Sequence, residues 1–350
     1  MKSQKEQAIR RWYLTGATLV FIILVVGGIT RLTGSGLSMT DWKPIMGSIP
    51  PLTDAQWDDA FEQYKQFPEF SMKNSGMSLS EFQYIFFWEY LHRMLGRTLS
   101  IVFLVPFAWF WIKGWFDRKQ LSRSFVLMLL GAGQGLMGWF MVKSGLVDIP
   151  EVSHYRLASH LMLAFIIFGC CIWFALNLKD RNQSASKGAR EMKTWLNVFI
   201  GILLFQIIWG AFTAGLDAGY IYNTFPKMHT FWIPPEMFHM QPATLNLVHN
   251  MSAVQWVHRL LGTLVGVLIL GTWVRSLWLN ITSEEQKWLI ILSVAVLLQY
   301  VIGVFTLLYF VPVWLGVLHQ AMAMVLFGIA LAARHQFKPT MVTVNREVTQ

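Results

Sequence analysis

The stretch Trp88-Glu89-Tyr90-Leu91-His92-Arg93-Met94-Leu95-Gly96 is repeated almost unchanged later in the chain, as Gln255-Trp256-Val257-His258-Arg259-Leu260-Leu261-Gly262. Each copy places a His-Arg pair near the start of a long apolar run. An α-helix needs about 20 predominantly apolar residues to span a bilayer. The two copies therefore predict a duplicated histidine site inside membrane helices.

The composition supports a membrane location for the whole chain of 350 residues. Hydrophobic residues make up 55% and charged residues 13%, and the mean hydropathy is +0.45. The apolar excess is concentrated in runs long enough to cross a membrane. The sequence predicts an all-α integral membrane protein with eight transmembrane helices, at residues 12–32, 84–112, 122–142, 155–178, 194–214, 248–279, 287–309 and 313–333.

The net charge of +9 is explained by topology. Of the 28 Lys and Arg residues, 18 lie on one side of the predicted spans, in segments 2–11, 113–123, 179–193, 275–287 and 334–346. The positive-inside rule makes that side cytoplasmic, together with both termini. We therefore expect membrane lipid and no nucleic acid as a partner.

The repeat extends beyond the His-Arg pair. Gln134-Gly135-Leu136-Met137-Gly138 precedes His160 as Gln299-Tyr300-Val301-Ile302-Gly303 precedes His319. The order of these landmarks predicts two tandem four-helix bundles related by pseudo-two-fold symmetry. We expect the first to occupy residues 1–180 and the second residues 181–350.

Four histidines occupy matched positions in the two halves: His92, His160, His258 and His319. Each lies near the outer start of a span that enters from the outer side, so all four should lie toward the outer leaflet. Two imidazoles on facing helices can bind a haem iron from opposite sides. The alternative for each histidine is a hydrogen bond between helices. We expect no iron ligation by the remaining five, His154, His229, His239, His249 and His335.

One acidic residue distinguishes the halves. Glu89 lies three residues before His92, on the same helical face, whereas Gln255 holds the matching position before His258. A carboxylate at this depth is costly unless it is paired or used. Glu89 could act as a general base, hold water or stabilise a cation in a substrate. The alternative is an ion pair with Arg93, Arg97 or Arg31.

Arginines near the same interface are candidates for binding haem propionates, because guanidinium groups pair well with carboxylates. The alternative for each is contact with lipid headgroups. The candidates are Arg31, Arg93, Arg97, Arg156 and Arg259. In the outer loop, Asp54, Gln56, Trp57, Phe61 and Tyr64 have the spacing of an amphipathic helix.

The sequence resembles the haem A synthases from about Leu14 to Ala333. The resemblance lies in Gly28–Met39, in Glu89-Tyr90-Leu91-His92-Arg93, in Leu216–Gly219 with Tyr222–Pro226, and in Gln255-Trp256-Val257-His258-Arg259. The only cysteines, Cys170 and Cys171, are adjacent within a predicted span and leave the outer loops without a disulfide. This makes the chain similar to the mitochondrial and alphaproteobacterial branch.

The resemblance implies oxidation of the C8 methyl of haem O to a formyl group through a hydroxymethyl intermediate, giving haem A for cytochrome oxidase. It implies substrate haem between His92 and His160, with Glu89 essential, and haem b between His258 and His319. It also implies a bacterial inner membrane location and partners such as haem O synthase, an electron-transfer protein or a second copy of the chain. Two alternatives stay open, a diheme electron carrier like cytochrome b and a haem transporter.

Overall fold

The computed structural model describes residues 4–39, 49–145, 152–178 and 186–337. These residues form α-helices and a few short 3₁₀ helices, and they include no β-strand. The helices are α1 (Gln4–Leu32), α2 (Asp54–Lys65), α3 (Pro68–Lys73), α4 (Leu79–Ile112), α5 (Arg118–Gly145), α6 (His154–Asn177), α7 (Ala189–Gly215), α8 (Asn246–His249), α9 (Met251–Ser276), α10 (Ser283–Leu308) and α11 (Val313–Gln336).

Eight of the helices are long and apolar enough to cross a membrane, namely α1, α4, α5, α6, α7, α9, α10 and α11. This confirms the all-α membrane fold and the eight predicted spans. The largest difference in bounds is at α1, which begins at Gln4 and not at residue 12. The sixth span was expected from residue 248 and begins at Met251, because Asn250 separates α8 from α9. The Asn250 side chain accepts hydrogen bonds from the backbone N–H groups of Ser252 and Ala253, and so caps a new helix at this point.

The termini and two loops that carry basic residues are only partly described. Five of the residues assigned to the cytoplasmic side lie outside the described ranges, namely Lys2, Lys179, Arg181, Lys338 and Arg346. The boundary expected at residues 180 and 181 also lies outside them. The division into two domains therefore stays a prediction.

One continuous apolar core joins the helices of both halves. Its fully buried side chains include Tyr13 of α1, Phe165 of α6, Phe199 of α7 and Ile269 of α9. Helix α1 packs against α4, α6 and α11, while α7 packs against α9, α6 and α11. The α1–α11 contact thus has a counterpart in the α7–α6 contact, and the pseudo-two-fold relationship between the halves stays a prediction.

Helix α2 packs against α4. Helix α2 begins at a capping box, in which Thr53 and Gln56 each bond to the other's backbone N–H. Its buried side chains, Phe61 and Tyr64, pack on Phe82 of α4. The predicted amphipathic helix is confirmed, and its apolar face covers the outer end of α4, one to two turns before Glu89.

Candidate functional site

The imidazoles of His258 on α9 and His319 on α11 face each other. Their ring centres are 6.4 Å apart, and the ring planes are inclined at 87°. A metal between two imidazole nitrogens needs bonds of about 2 Å, and roughly 1 Å more on each side reaches the ring centres, giving about 6 Å. The pair therefore fits a six-coordinate haem iron. No group of three or more metal-ligating side chains was found among the described residues.

The second histidine pair is formed by His92 on α4 and His160 on α6. Both side chains are half-buried. The helices that carry them are separated in sequence by α5, as α9 and α11 are separated by α10. The structure thus brings His258 and His319 together, while the pairing of His92 with His160 stays a prediction.

Every site histidine lies against a glycine of the preceding membrane helix. A Cβ atom built on each glycine would come within 3.2 Å of the imidazole: 3.1 Å for Gly27 and His92, 3.2 Å for Gly138 and His160, 3.0 Å for Gly210 and His258, and 2.7 Å for Gly303 and His319. Sequence reasoning missed this role. The available signal was a glycine inside an apolar span before each histidine.

Glu89 is almost fully buried, with 3% of its surface exposed. One carboxylate oxygen accepts hydrogen bonds from the Ser38 hydroxyl and the Met39 backbone N–H, both at 2.8 Å. The other oxygen accepts from Arg93 Nη2 at 2.5 Å. Of the three arginines proposed as ion-pair partners, the structure places Arg93 against Glu89. Each of these contacts donates a hydrogen bond to the carboxylate, which is fixed against the chain at Ser38 and Met39.

The second half has a neutral version of this arrangement. Arg259 donates to the backbone carbonyls of Tyr222 and Thr224, at 2.7 and 2.9 Å. Gln255 also donates to the Tyr222 carbonyl, at 3.1 Å. In both halves, an Arg and the residue four positions before it bind the loop that follows the preceding membrane helix. That residue carries a carboxylate only in the first half, as Glu89.

The other arginine candidates have separate positions. Arg31 pairs with Asp217 at 3.3 Å, and so links the end of α1 to the loop after α7. Arg156 lies 3.9 Å from the ring centre of Phe140. These contacts tie elements of the fold together, and propionate binding by Arg31, Arg93, Arg97, Arg156 or Arg259 stays a prediction.

Comparison with known proteins identifies the family. The family described as cytochrome oxidase assembly protein (COX15-CtaA) matches residues 10–331. The chain belongs to this family. A protein named heme A synthase from Nitrosospira multiformis is 42% identical over 335 residues, covering 95% of this chain and 94% of the relative. A heme A synthase from Flavobacterium psychrophilum is 42% identical over 343 residues, covering 96% and 99%.

A third relative of the family, heme A synthase from Rhodospirillum centenum, is 41% identical over 334 residues, covering 95% of this chain and 89% of the relative. The resemblance noted in the sequence is therefore confirmed. The match includes the segments that carry all four site histidines and Glu89.

Two histidines outside the predicted pairs meet at the outer ends of α6 and α8. The rings of His154 and His249 are 5.0 Å apart, and Tyr155 bonds to His249 at 3.0 Å. His154 is buried, with 7% of its surface exposed. Its ring packs edge-on against Phe212 of α7, which joins the two halves at this point.

Replacing Gly210 with alanine tests the close approach of glycine to histidine in this family member. The new methyl group would lie 3.0 Å from His258 Cε1. Overpacking of this kind typically costs about 1 to 3 kcal/mol, so we expect weaker haem retention and a disturbed haem absorption spectrum. Gly201→Ala on the same helix is the control, because nothing lies within 4 Å of its Cβ position. Equal spectra of the two variants would contradict the prediction.

A second buried carboxyl, Glu69 of α3, lies in the outer segment near Glu89. Only 6% of Glu69 is exposed, and the Tyr64 hydroxyl donates to it at 3.1 Å. Burial raises the pKa of Glu69 to about 7, the hydrogen bond from Tyr64 opposes this rise, and the charge of Glu89 adds to it. The folded segment thus favours the protonated form of Glu69.

The raised pKa predicts how pH affects the outer segment. Between pH of about 4.5 and 7, the folded state binds more protons at Glu69 than the unfolded state does, so stability falls as pH rises through this range. The protection of α2 and α3 against hydrogen exchange, corrected for the intrinsic rise of exchange with pH, should therefore decrease from pH 5 to about 7. Glu69→Gln, which keeps an acceptor for Tyr64, should reduce this dependence. An unchanged pH profile in the variant would refute the assignment.

Proposed function

We propose that this chain is a haem A synthase, which oxidises the C8 methyl of haem O to a formyl group through a hydroxymethyl intermediate. The observation that carries the proposal is the pair of imidazoles at 6.4 Å on α9 and α11, in a chain whose relatives carry the name heme A synthase. The product, haem A, would serve terminal cytochrome oxidase, in keeping with the family description.

The two halves would have different tasks. His92 and His160 would hold the substrate haem O by its iron and fix the position of its methyl group. His258 and His319 would hold haem b as the resident cofactor, which supplies a centre for electron transfer. The absence of a carboxylate at Gln255 supports the non-reacting role of the second half.

Glu89 would act on the substrate through its charge. Arg93, Ser38 and Met39 hold the carboxylate in place, so it needs little reorganisation when positive charge develops at the oxidised carbon. The same carboxylate can accept a proton that leaves the substrate. Either role requires a carboxylate at this position.

We further propose that the protein lies in the bacterial inner membrane with both termini in the cytoplasm. The basic segments of the sequence support this orientation. It would place the four site histidines toward the outer leaflet, and the segment formed by α2 and α3 on the outer surface. Haem O synthase, an electron-transfer protein and a second copy of the chain are the partners that such a reaction would favour.

Analysis of bound haems tests this function against the alternatives. Haem extracted from the purified protein and separated by chromatography should include haem O, its hydroxylated intermediate or haem A. Haem b alone at full occupancy would replace the proposal with a diheme electron carrier. Readily exchanged haem b in both halves would replace it with a transporter.

A further inference from the structure

Helices α5 and α10 hold matching places in the two halves, and they pack differently. Helix α10 packs closely against both α9 and α11, whereas α5 packs closely against α6 and only sparsely against α4. The other neighbouring pairs of the first half, α1 with α4 and α1 with α6, are also closely packed. The loosest contact of the first half thus lies between α4 and α5.

The loosely packed stretch of α5 lies beside the proposed substrate site. None of residues 131–143 is buried, and the structure describes all of them. A Cβ atom built on Gly138, within this stretch, would lie 3.2 Å from the His160 ring. The sparse packing is therefore at the depth of His160. In α10 the matching stretch is 296–308, and its buried residues are Val296, Ile302 and Thr306.

A hydrogen bond joins the matching helices of the second half. The side-chain oxygens of Thr263 on α9 and Tyr300 on α10 are 3.1 Å apart. The same positions of the repeat hold Arg97 and Gly135 in the first half. Gly135 has no side chain to reach α4, and in the described part of the chain nothing packs within 4 Å of its Cβ position. The first half therefore has open space where the second half has a tyrosine.

The proposed substrate gives this space a use. Haem O carries an isoprenoid chain, and each CH₂ group of such a chain gains about 0.8 kcal/mol on burial in lipid. The substrate and the product are therefore dissolved in the membrane and not in water. A site that exchanges them needs an opening toward lipid, whereas a site that retains its haem needs closed helix contacts.

On the basis of the proposed function, we propose that the substrate haem enters and leaves the first half sideways from the outer leaflet, between α4 and α5. Gly135 keeps this passage open at the depth of His160. In the second half, Tyr300 bonds to Thr263, closes the matching passage and so retains haem b. Entry and exit involve no covalent or redox step.

The test places on α5 the side chain that α10 has. Gly135→Tyr fills the passage, and Leu136→Tyr is the matched control, because Leu136 is the next residue of the same helix and 68% of its surface is exposed. The full-length protein in mixed lipid–detergent micelles is mixed with haem O in the same micelles. Growth of the low-spin absorbance reports loading of the first half, and the His160→Ala variant gives the background.

We expect Gly135→Tyr to slow loading by about tenfold, which corresponds to a barrier higher by about 1.4 kcal/mol. Leu136→Tyr should load at the rate of the wild type. Both variants should keep the haem of the second half, and its unchanged spectrum shows that the fold persists.

The second half provides the reverse measurement. Tyr300→Gly removes the side chain that closes α10 against α9. Val301→Gly is its control, because it puts the same flexible residue at the next position, of which 39% is exposed. Transfer of haem b to excess apomyoglobin should be about tenfold faster from Tyr300→Gly than from Val301→Gly, by the same change in barrier. This measurement does not depend on the folding of Gly135→Tyr.

Equal loading of Gly135→Tyr and Leu136→Tyr, or equal haem transfer from Tyr300→Gly and Val301→Gly, would overturn the proposal. Slow loading of both α5 variants together with a changed oligomeric state would also overturn it, and would assign this face of α5 to a second copy of the chain. If any of these results occurs while haem A is still found among the extracted haems, the passage is wrong and the synthase function stands. If the extracted haems contain only fully occupied haem b, the synthase function itself fails.

Discussion

Replacing His319 with alanine is expected to remove the resident haem from the second half and to reduce haem A formation to background. His319 and His258 face each other at a distance that fits one iron, so the loss of either ring leaves five-coordinate or unbound haem. Loss of a partner that merely supports a metal ligand already costs about 10- to 100-fold in affinity. We therefore expect haem b content to fall by more than about tenfold.

The measurement is the haem content per chain and the low-spin absorption spectrum of the purified variant. His335→Ala is the matched control, because His335 lies on the same helix and bonds to Asn177 at 3.2 Å instead of facing a site histidine. A His319→Ala protein with a full complement of low-spin haem in both halves would show that this pair does not bind iron.

The sequence predicted the helices because their signal is local. Runs of apolar residues gave all eight spans, and most boundaries agree with the structure within a few residues. The largest difference is at the start of α1, because its first two turns, from Gln4 to Arg11, are mostly polar and hydropathy does not register them. The four site histidines could be predicted for a related reason. The internal repeat places them at matched positions of the two halves, whatever their contacts in the fold.

The parts of the site that the sequence missed depend on contacts between distant segments. A glycine such as Gly303 has many roles in a membrane helix, and its approach to His319 appears only when α10 and α11 are packed together. The sequence left three possible ion-pair partners for Glu89, namely Arg93, Arg97 and Arg31. Choosing among them required the position of the chain at Ser38 and Met39, which the same carboxylate binds.

These contacts also give Glu89 a structural role beside its proposed chemical one. The carboxylate links the loop after α1 to α4, and the outer segment of α2 and α3 lies over it. Deleting the side chain would therefore change both the loop and the charge. A variant that separates the two effects must keep the acceptor oxygen that binds Ser38 and Met39 and remove the charge.

Glu89→Gln meets this requirement, and it makes the first half resemble the second, where Gln255 holds the matching position. The amide oxygen can still accept from Ser38 or Met39, so we expect the fold and the bound substrate haem to persist. Formation of haem A should fall by about 10²- to 10⁴-fold, the usual effect of removing an acid–base group. The extracted haems should then contain haem O in place of haem A.

Glu69→Gln is the control, because it also removes a buried carboxyl, in this case one that lies on α3 and not on α4. We expect this variant to make haem A at a rate close to that of the wild type. Thermal unfolding and the low-spin spectrum of Glu89→Gln distinguish lost chemistry from lost structure. If the variant retains its haems and still makes haem A in wild-type proportion, the carboxylate of Glu89 serves only to fix the loop against α4. The asymmetry between Glu89 and Gln255 would then have no catalytic meaning.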